Sequence, residues 1–500
     1  MYGTKIEDCS QAKLLGVTLD SKLSFRPHVN NKIAQAKRIL MLCSSTIKKS
    51  WGPKPQYIRW LYVNVIQPFL LYGCHVWTKL LNDKAVLRNL GTLQNLGLKY
   101  IAPIRKSTPL AALEVIFDVP PLELTIKERS IMTFHRLKNL HDTECTWVSQ
   151  QPSFRGHWKR IKELIDCEVT QSDSIPIFRD WNKPWTVLIG DGCDTTDDLC
   201  RIYTDGSVIQ GKCGAGASIY LDGIPYLTIS EKLSNHCNIF QCELRAIEAC
   251  CEKLSRVENR KMSFMVDNQG CLMALDNIWT NSVSIEKTKT ALKALASRGN
   301  KITLRYIKAH SGKIGNEQAD CAAKKGAISK RSPNKTFLCS KAKIKEDFRT
   351  RIINEWQEKW YNIPPDRMRQ TKCFLNGPDK KIWKMLRFKG KNDIGILIRF
   401  LTGHAYMLKH EMLINFGYEA LEYKNINCRL CQEGIETPYH LVTECPCLNL
   451  FRKELFFEFT LPEGPVKQPM SKVLHFAKHN SIRTIEKSLQ DKELRMLFIE

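Results

Sequence analysis

The chain has 500 residues, of which 43% are hydrophobic and 25% charged, a balance typical of globular rather than disordered proteins. This length exceeds what one hydrophobic core normally fills, so roughly three domains are expected. The formal net charge of +25 indicates a polyanionic partner, either nucleic acid or an anionic membrane surface.

The sequence does not support the membrane alternative. Its most apolar segment, YVNVIQPFLLYGCHVW at 62–77, is interrupted by Asn, Gln, Pro and His and is too short to span a bilayer. The first residues lack a secretory signal pattern, so an intracellular protein of the nucleus or cytoplasm, not a secreted one, is expected. Most of the 20 cysteines are scattered through apolar segments and are expected to be reduced.

The N-terminal part is predicted to be mainly helical. Residues 13–25 resemble a strand, a turn and a second short strand, and residues 28–46 show the apolar spacing of a helix. The segment 62–77 is expected to be a buried helix broken near Pro68. Further helices are expected up to residue 150, followed by a linker rich in Pro, Asp and Thr.

A different pattern begins near residue 200. Three strand-like runs, RIYTDGSV, GAGASIYL and IPYLTIS, are separated by glycine-containing turns. An amphipathic helix follows at 239–254, and KMSFMVD and KITLRYIKA supply two more strands among helical segments. This order predicts a mixed sheet with helices packed on it.

Residues 331–400 are strongly basic, with 18 Lys and Arg against 7 Asp and Glu. Four aromatic residues are interleaved with this charge: Trp356, Trp360, Trp383 and Phe388. Two interpretations remain open, solvated helices with apolar anchors and a nucleic-acid-binding face.

Four acidic residues between 200 and 330 have suggestive positions. Asp205 lies at the end of an apolar strand before a glycine, and Asp267 ends the strand SFMV. If these strands are neighbours, both carboxylates emerge at one edge of the sheet, where active sites of α/β folds form. Glu243 lies at the start of the amphipathic helix, and Asp320 near the start of the last helix.

Clustered carboxylates repel one another unless cations hold them. Mg²⁺ prefers oxygen ligands, with Mn²⁺ as an alternative. Two such ions about 4 Å apart can clamp the attacking and leaving oxygens of a phosphodiester. Any one of these carboxylates could equally be structural, but their order and settings together favour a two-metal site.

The stretch AHSGKIGNEQADCAAKK at 309–325 has two interpretations. In the structural one, His310 and Asp320 are solvated and Asn316 caps a helix. In the chemical one, Asp320 is a metal ligand and His310 carries protons on a mobile loop.

A second group of ligands lies in CRLCQEGIETPYHLVTEC, which contains Cys428, Cys431, His440 and Cys445. Two cysteines on a knuckle, then His and Cys at helical spacing, can form a closed tetrahedral Zn²⁺ site of structural type. Cys447 is an alternative to Cys445. The predicted role is to present nearby basic groups to RNA or DNA.

The motifs YTDGS, CELRAI, VDNQG and HSGKIGNEQAD resemble the Asp-Glu-Asp-Asp signature of the ribonuclease H family over roughly residues 199–328. The resemblance implies a five-stranded mixed sheet with helices on both sides and two Mg²⁺ ions held by the four acidic residues. It implies that His310 assists proton transfer or product release. The implied reaction is cleavage of the RNA strand of an RNA–DNA hybrid, leaving 5′-phosphate and 3′-hydroxyl ends.

The sequence departs from the family pattern in two places. Many cellular members carry RNA-contacting Asn residues just before the catalytic Glu, where Ile239 and Phe240 stand here. Asn268 follows Asp267 at a position where Ser is frequent. Neither change removes an expected metal ligand, although the first puts the recognition of 2′-hydroxyls in doubt.

The flanks resemble the reverse transcriptases of non-LTR (LINE-like, jockey-like) retrotransposons. LLGVTLDSKLSFRPHV and VIQPFLLYGCHVW, within roughly residues 10–100, resemble the segment after the polymerase palm, and the Cys/His cluster resembles the C-terminal zinc-binding segment. The palm Asp and aromatic-x-Asp-Asp turn are not found, since TTDD at 195–198 follows no strand or aromatic residue. The chain is therefore interpreted as a 5′-truncated element without reverse transcriptase activity of its own.

The predicted architecture is multidomain, with five segments: 1–100, a post-palm, thumb-like fragment; 101–196, a helical connection and linker; 197–330, the ribonuclease H domain; 331–425, a basic Trp-containing linker; and 426–500, the zinc-binding region. The predicted function is a hybrid-specific endoribonuclease of a retrotransposon polyprotein, with RNA–DNA hybrid, element RNA and target DNA as partners. The alternative is a catalytically silent, nucleic-acid-binding remnant.

Overall fold

The computed structural model describes residues 9–44, 52–144, 172–190, 200–308, 312–330, 338–364, 367–417 and 426–490. The chain divides into two compact units. The first, called the helical unit, contains the described residues of 9–134 and 349–490, and the second, called the sheet unit, contains residues 135–144 and the described residues of 172–348. Within the described ranges, no helix combines the length and hydropathy needed to cross a membrane.

The helical unit begins with the predicted strand, turn and strand. Strands β1 (Gln11–Leu14) and β2 (Val17–Asp20) pair antiparallel through a two-residue turn. Gly16 in that turn has a φ of 84°, which favours glycine and suits a tight hairpin. Helices then follow: α1 (Arg26–Ser44), α2 (Pro55–Leu61), α3 (Gln67–Leu70), α4 (Cys74–Trp77), α5 (Lys84–Lys99), α6 (Leu110–Phe117) and α7 (Leu122–Glu144).

The expected break near Pro68 has a definite form. Between α2 and α3 the backbone widens into a π-helix at Tyr62–Ile66, and the Gln67 N–H bonds to the Tyr62 carbonyl oxygen. Pro68 has no N–H with which to continue the α-helical ladder, so the irregular turn lies directly before it. The segment is therefore helical and interrupted, as predicted.

The sheet unit contains strands β3 (Phe178–Arg179), β4 (Trp185–Leu188), β5 (Cys200–Ile209), β6 (Lys212–Leu221), β7 (Ile224–Leu233), β8 (Lys261–Val266), β9 (Trp279–Thr280) and β10 (Lys301–Tyr306). Its helices are α8 (Ile239–Lys253), α9 (Gln269–Asp276), α10 (Val283–Ala296) and α11 (Ile314–Ile328). The main sheet has the order β4-β10-β8-β5-β6-β7. The first four strands in this order run parallel, and β6 is antiparallel to both of its neighbours, β5 and β7, so the sheet is mixed as predicted.

The five strands predicted within residues 197–330 are all present, and the sheet contains a sixth strand in addition. The additional strand, β4, comes from the segment predicted as linker and pairs with the edge of β10. Only Trp185 of β4 is buried, and a four-residue strand with one buried side chain carries too little alternation to be recognised. Backbone pairing along an otherwise open edge stabilises it.

The helices cover both faces of this sheet, and two glycines allow close contact. A Cβ on Gly206 of β5 would lie 2.8 Å from the Cys242 Cβ of α8. A Cβ on Gly216 of β6 would lie 2.2 Å from the Ala323 backbone nitrogen of α11. Gly216 is paired with Asp205, the neighbour of Gly206, and adjacent residues of a strand face opposite sides, so α8 and α11 lie on opposite faces.

The C-terminal part of the chain is helical. Its helices are α12 (Lys341–Tyr361), α13 (Arg369–Phe374), α14 (Lys380–Leu386), α15 (Lys391–Thr402), α16 (Leu408–Phe416), α17 (Pro438–Thr443), α18 (Asn449–Phe456), α19 (Met470–Ala477) and α20 (Asn480–Gln490). In the helical unit they share one hydrophobic core with the N-terminal helices. Phe117 and Trp383, for example, meet edge to face at 5.8 Å between ring centroids.

The aromatic residues of the basic segment separate into two classes. Trp356, Trp360 and Trp383 are buried in the core of the helical unit, whereas Phe388 is 71% exposed. The three tryptophans therefore anchor helices, which favours the first of the two interpretations of this segment.

Candidate functional site

Asp205 and Asp267 lie where two parallel strands separate. Thr204 of β5 is opposite Val266 at the end of β8, so the next residues of both strands are the two aspartates. Beyond this point β5 continues to Ile209 and is paired with β6. Asp205 is thus inside a strand rather than at its end, but the predicted meeting of the two carboxylates at one edge is present.

Glu243 reaches the same place from α8. The N-terminus of this helix is fixed by a capping box, in which Asn238 and Gln241 bond each other's backbone N–H groups. The close approach at Gly206 brings the Glu243 backbone to 2.8 Å from where a Cβ would stand. Oxygens of Asp205, Glu243 and Asp267 consequently lie within 4.8 Å of one another.

The electrostatics of these three residues fit a divalent cation. Burial, together with the charges of Asp267 and Asp320, raises the pKa of Asp205 to about 7. Burial and the charges of Asp205 and Asp267 raise the pKa of Glu243 well above its ordinary value. Glu243 Oε2 is buried without a hydrogen-bond partner in the described part of the chain. An oxygen-rich site with excess negative charge and an unpartnered oxygen suits Mg²⁺.

Asp320 lies beside this group but is not one of the three clustered residues. Its side chain is 27% exposed, and its Oδ2 accepts a hydrogen bond of 2.7 Å from Lys324 Nζ, one turn along α11. The Asp320 carboxyl also lies close enough to Asp205 to contribute to the raised pKa of the latter. The structure therefore brings all four predicted carboxylates into one neighbourhood, with Asp320 at its solvent side.

The helix that carries Asp320 begins earlier than the sequence suggests. Its N-cap is Lys313, so Asp320 lies in the second turn, and Asn316 lies inside the helix and is 5% exposed. The expected capping role of Asn316 is wrong, because Ile314 and Gly315 already have helical conformation. Gly315 allows this turn to pack against Tyr203, whose ring is 2.3 Å from where a Cβ would stand.

His310 lies outside the described residues, and its role stays a prediction.

The residues at which the sequence departs from the ribonuclease H pattern are Ile239, Phe240 and Asn268, and the structure describes all three. Ile239 is the first residue of α8 and is 44% exposed, whereas Phe240 packs against the core of the sheet unit. Asn268 caps α9 by accepting a hydrogen bond from the Cys271 N–H, a role that Ser also fills.

One buried carboxylate near the site was not predicted. Asp173 accepts hydrogen bonds from Ser284 N at 2.8 Å, Ser282 Oγ at 2.8 Å and Gln241 Nε2 at 3.2 Å. It thereby connects the N-terminus of α10 to the capping box that precedes Glu243. The capping box can be found from the Asn-x-x-Gln spacing, but Asp173 lies in an irregular segment with no such signal.

The predicted zinc ligands also converge. Atoms of Cys428, Cys431, His440 and Cys445 lie within 4.8 Å of one another. Cys428 Sγ is 4.0 Å from Cys445 Sγ, and Cys431 Sγ is 3.3 Å from His440 Nε2. These separations fit a tetrahedral Cys₃His set around Zn²⁺, and the paired thiols lower the pKa of Cys428 to about 5. The exposed Cys447 donates to the Leu430 carbonyl oxygen and is not in the cluster.

Local structure explains why these ligands meet. Cys428 and Cys431 lie on a tight turn, in which the Cys428 N–H donates to the Gly434 carbonyl oxygen at 2.6 Å. His440 lies in α17, whose N-cap Thr437 accepts a hydrogen bond from the His440 N–H. A Cβ on Gly434 would lie 2.5 Å from the His440 ring, so glycine lets the turn close over the imidazole.

Comparisons with known proteins give a family match for the segment that contains the four carboxylates. Residues 197–328 match the family model for RNase H. The chain is 24% identical over 184 residues to a 115 kDa protein of the type-1 retrotransposable element R1DM of Drosophila melanogaster. This match covers 37% of this chain and 17% of that protein. It is 26% identical over 243 residues to the retrovirus-related Pol polyprotein of the type-1 retrotransposable element R1 of Popillia japonica, which covers 48% of this chain and 90% of that sequence.

Solved structures show lower similarity. RNase H1 of the halophilic archaeon Halobacterium salinarum NRC-1 is 18% identical with a TM-score of 0.22, and the match covers 25% of this chain and 96% of that one.

This chain spans only part of the first of these relatives: its match to the Drosophila protein covers only about a sixth of that protein's length.

Proposed function

We propose that this retrotransposon polyprotein sequence, with its ribonuclease H-family domain at 197–328, is an endoribonuclease that hydrolyses the RNA strand of RNA–DNA hybrids. The observation that carries the proposal is the convergence of Asp205, Glu243 and Asp267 where β5 and β8 separate, with Asp320 alongside. Such a group of partly buried carboxylates is costly without a cation, which indicates a purpose beyond stability.

Asp205, Glu243, Asp267 and Asp320 would hold two Mg²⁺ ions, with Mn²⁺ as a substitute. When bound, the ions would supply positive charge at the attacking and leaving oxygens of the phosphodiester. The charges of both Asp267 and Asp320 raise the pKa of Asp205, so this carboxyl is close to both of them. Lys324 balances the charge of Asp320 through their hydrogen bond.

The proposed substrate is element RNA paired with newly made DNA. The net charge of +25 supports binding of a polyanion, and phosphate contacts of this kind weaken as salt rises. An affinity for hybrid that stays constant between low and high salt would contradict this part of the proposal.

The test is cleavage of labelled RNA–DNA hybrid by the full chain with Mg²⁺, with RNA and DNA duplexes as substrate controls. We expect Asp205→Asn to lower the rate by at least about a thousandfold, because it removes the central metal-binding carboxylate. Asp222→Asn is the matched control, since Asp222 is 52% exposed and pairs with Arg260. His310→Ala is expected to retain partial activity.

Equal rates for wild type and Asp205→Asn would refute the nuclease and leave the silent, nucleic-acid-binding remnant. Salt-dependent binding without cleavage would be its signature.

Zinc is proposed as a structural ion in the helical unit. Cys428 and Cys445 belong to the hydrophobic core of this unit, so a metal there would fix core segments together. One zinc per chain by elemental analysis is expected, and its removal by a chelator should lower the thermal stability.

A further inference from the structure

Arg452 in α18 is fully buried, yet all the hydrogen-bond acceptors of its guanidinium within the described ranges are neutral. Its Nε donates to the Phe459 carbonyl oxygen at 2.6 Å, and its Nη1 donates to that of Leu441 at 2.9 Å. Its Nη2 donates to the Cys445 carbonyl oxygen at 2.5 Å and to Asn449 Oδ1. None of these groups carries a charge.

The other deeply buried arginine of the described ranges has a different environment. Arg245 is 2% exposed and pairs with Glu231 and two further glutamates. No ion pair among the described residues includes Arg452. A buried cation without an anionic partner is strongly unfavourable, so hydrogen bonds to carbonyls alone leave its charge uncompensated.

The neighbouring Cys₃His cluster would supply this negative charge if it held Zn²⁺. Three thiolates carry three negative charges, the imidazole of His440 is neutral as a ligand, and Zn²⁺ returns two positive charges. The loaded centre therefore carries one net negative charge inside the core. We propose that Arg452 is the countercharge of this Cys₃His zinc centre, an inference that rests on the proposed zinc site.

The placement of Arg452 supports this role. His440 and Cys445 lie within and just beyond the short helix α17 (Pro438–Thr443), and Arg452 bonds to the carbonyls of Leu441 and Cys445 in the same stretch. The charge of Glu444 also acts on Arg452, after that of Cys445, but the Glu444 side chain is 65% exposed and faces the His440 Nδ1 at 3.7 Å. Arg452 thus positions the stretch that carries two of the ligands, and unlike the neighbouring Arg429, which pairs with Glu436, it has no carboxylate partner among the described ion pairs.

The experiment measures zinc content and the rate of zinc release from the folded full chain to a colorimetric chelator. Arg452→Gln removes the charge and keeps an amide donor, whereas Arg452→Lys keeps the charge and loses the planar fork. We expect the Gln variant to release zinc at least about tenfold faster than wild type, and the Lys variant within about threefold of it. Leu461→Ala is the matched control, because this 3% exposed residue bonds to Thr443 through its backbone and carries no charge.

Several outcomes would overturn the countercharge. One is a release rate in Arg452→Gln equal to that of wild type, and another is a release rate in Leu461→Ala as fast as in the Gln variant. If Arg452→Gln does not fold, Arg452→Lys is the test, because it keeps the positive charge and should therefore release zinc slowly. Fast zinc release from Arg452→Lys would then contradict the countercharge. A wild-type chain that purifies without zinc and binds none when ZnCl₂ is added would refute the zinc site itself, which is a separate result.

Discussion

The acidic cluster should make the metal-free protein less stable as the pH rises. The pKa of Asp205 is raised from 3.8 to about 7 in the folded chain, mainly by burial and then by the charges of Asp267 and Asp320. Because the folded chain binds the proton of this carboxyl more tightly than the unfolded chain does, the resulting contribution to stability is complete below about pH 4 and is lost as the pH rises through about 7. Three pKa units correspond to about 4 kcal/mol as an upper bound.

Asp205→Asn removes this penalty, because the amide does not ionise. In EDTA at pH 8, the variant should therefore unfold at a temperature several degrees higher than wild type, since about 1 kcal/mol shifts the midpoint by roughly 2–4 °C in a unit of this size. At pH 4 the two proteins should unfold at nearly the same temperature. Mg²⁺ should raise the midpoint of wild type at pH 8 and have little effect on the variant.

The assay is thermal unfolding of the full chain at both pH values, with EDTA and with MgCl₂. Asp222→Asn serves as the control, since its exposed carboxylate should change stability little in either buffer. If Asp205→Asn is no more stable than wild type in EDTA at pH 8, the carboxylates do not repel each other as argued. The two-metal interpretation would then lose its electrostatic support.

Three further predictions concern the surroundings of the two sites. Gly206→Ala should abolish hybrid cleavage, measured with the labelled substrate, because its Cβ would lie 2.8 Å from the backbone of α8 and displace Glu243. In Asp173→Asn the amide oxygen can still accept the hydrogen bond from the Ser284 N–H, but the bond accepted from Gln241 Nε2 is lost, so kcat should fall about tenfold with KM unchanged. Asp180→Asn is the control, because Asp180 lies on the same segment and pairs with Lys293, and this variant should keep the wild-type kcat. Cys445→Ser should lose zinc by elemental analysis, whereas Cys447→Ser should retain it, and equal retention would refute the assigned ligand set.

Local patterns were sufficient for much of the sheet unit. Strands β5, β6 and β7 and helix α8 follow the predicted alternation and helical spacing closely. The resemblance to ribonuclease H and to retrotransposon polyproteins, drawn from four short motifs and the flanks, is confirmed by the family match and the R1-element relatives. The capping residues Asn238 and Asn268 were also within reach of sequence patterns.

Features that depend on distant pairing were not predictable. Strand β4 exists because β10 offers an open edge, and Asp173 meets Gln241 across 68 residues of chain. The joining of residues 9–134 with 349–490 in one core depends on contacts across more than 200 residues, for which no local periodicity exists.

The AHSGKIGNEQADCAAKK stretch shows the division most clearly. Its sequence determined a helix carrying an acidic residue, because helical periodicity and composition are local properties of the chain. Only the tertiary structure decided how closely this helix approaches the sheet: it lies directly on β6, with the Ala323 backbone nitrogen 2.2 Å from where a Cβ on Gly216 would stand. The sequence determined which carboxylates the site contains, whereas the strand register and these close packings decided their separations, because both depend on segments far apart in the chain.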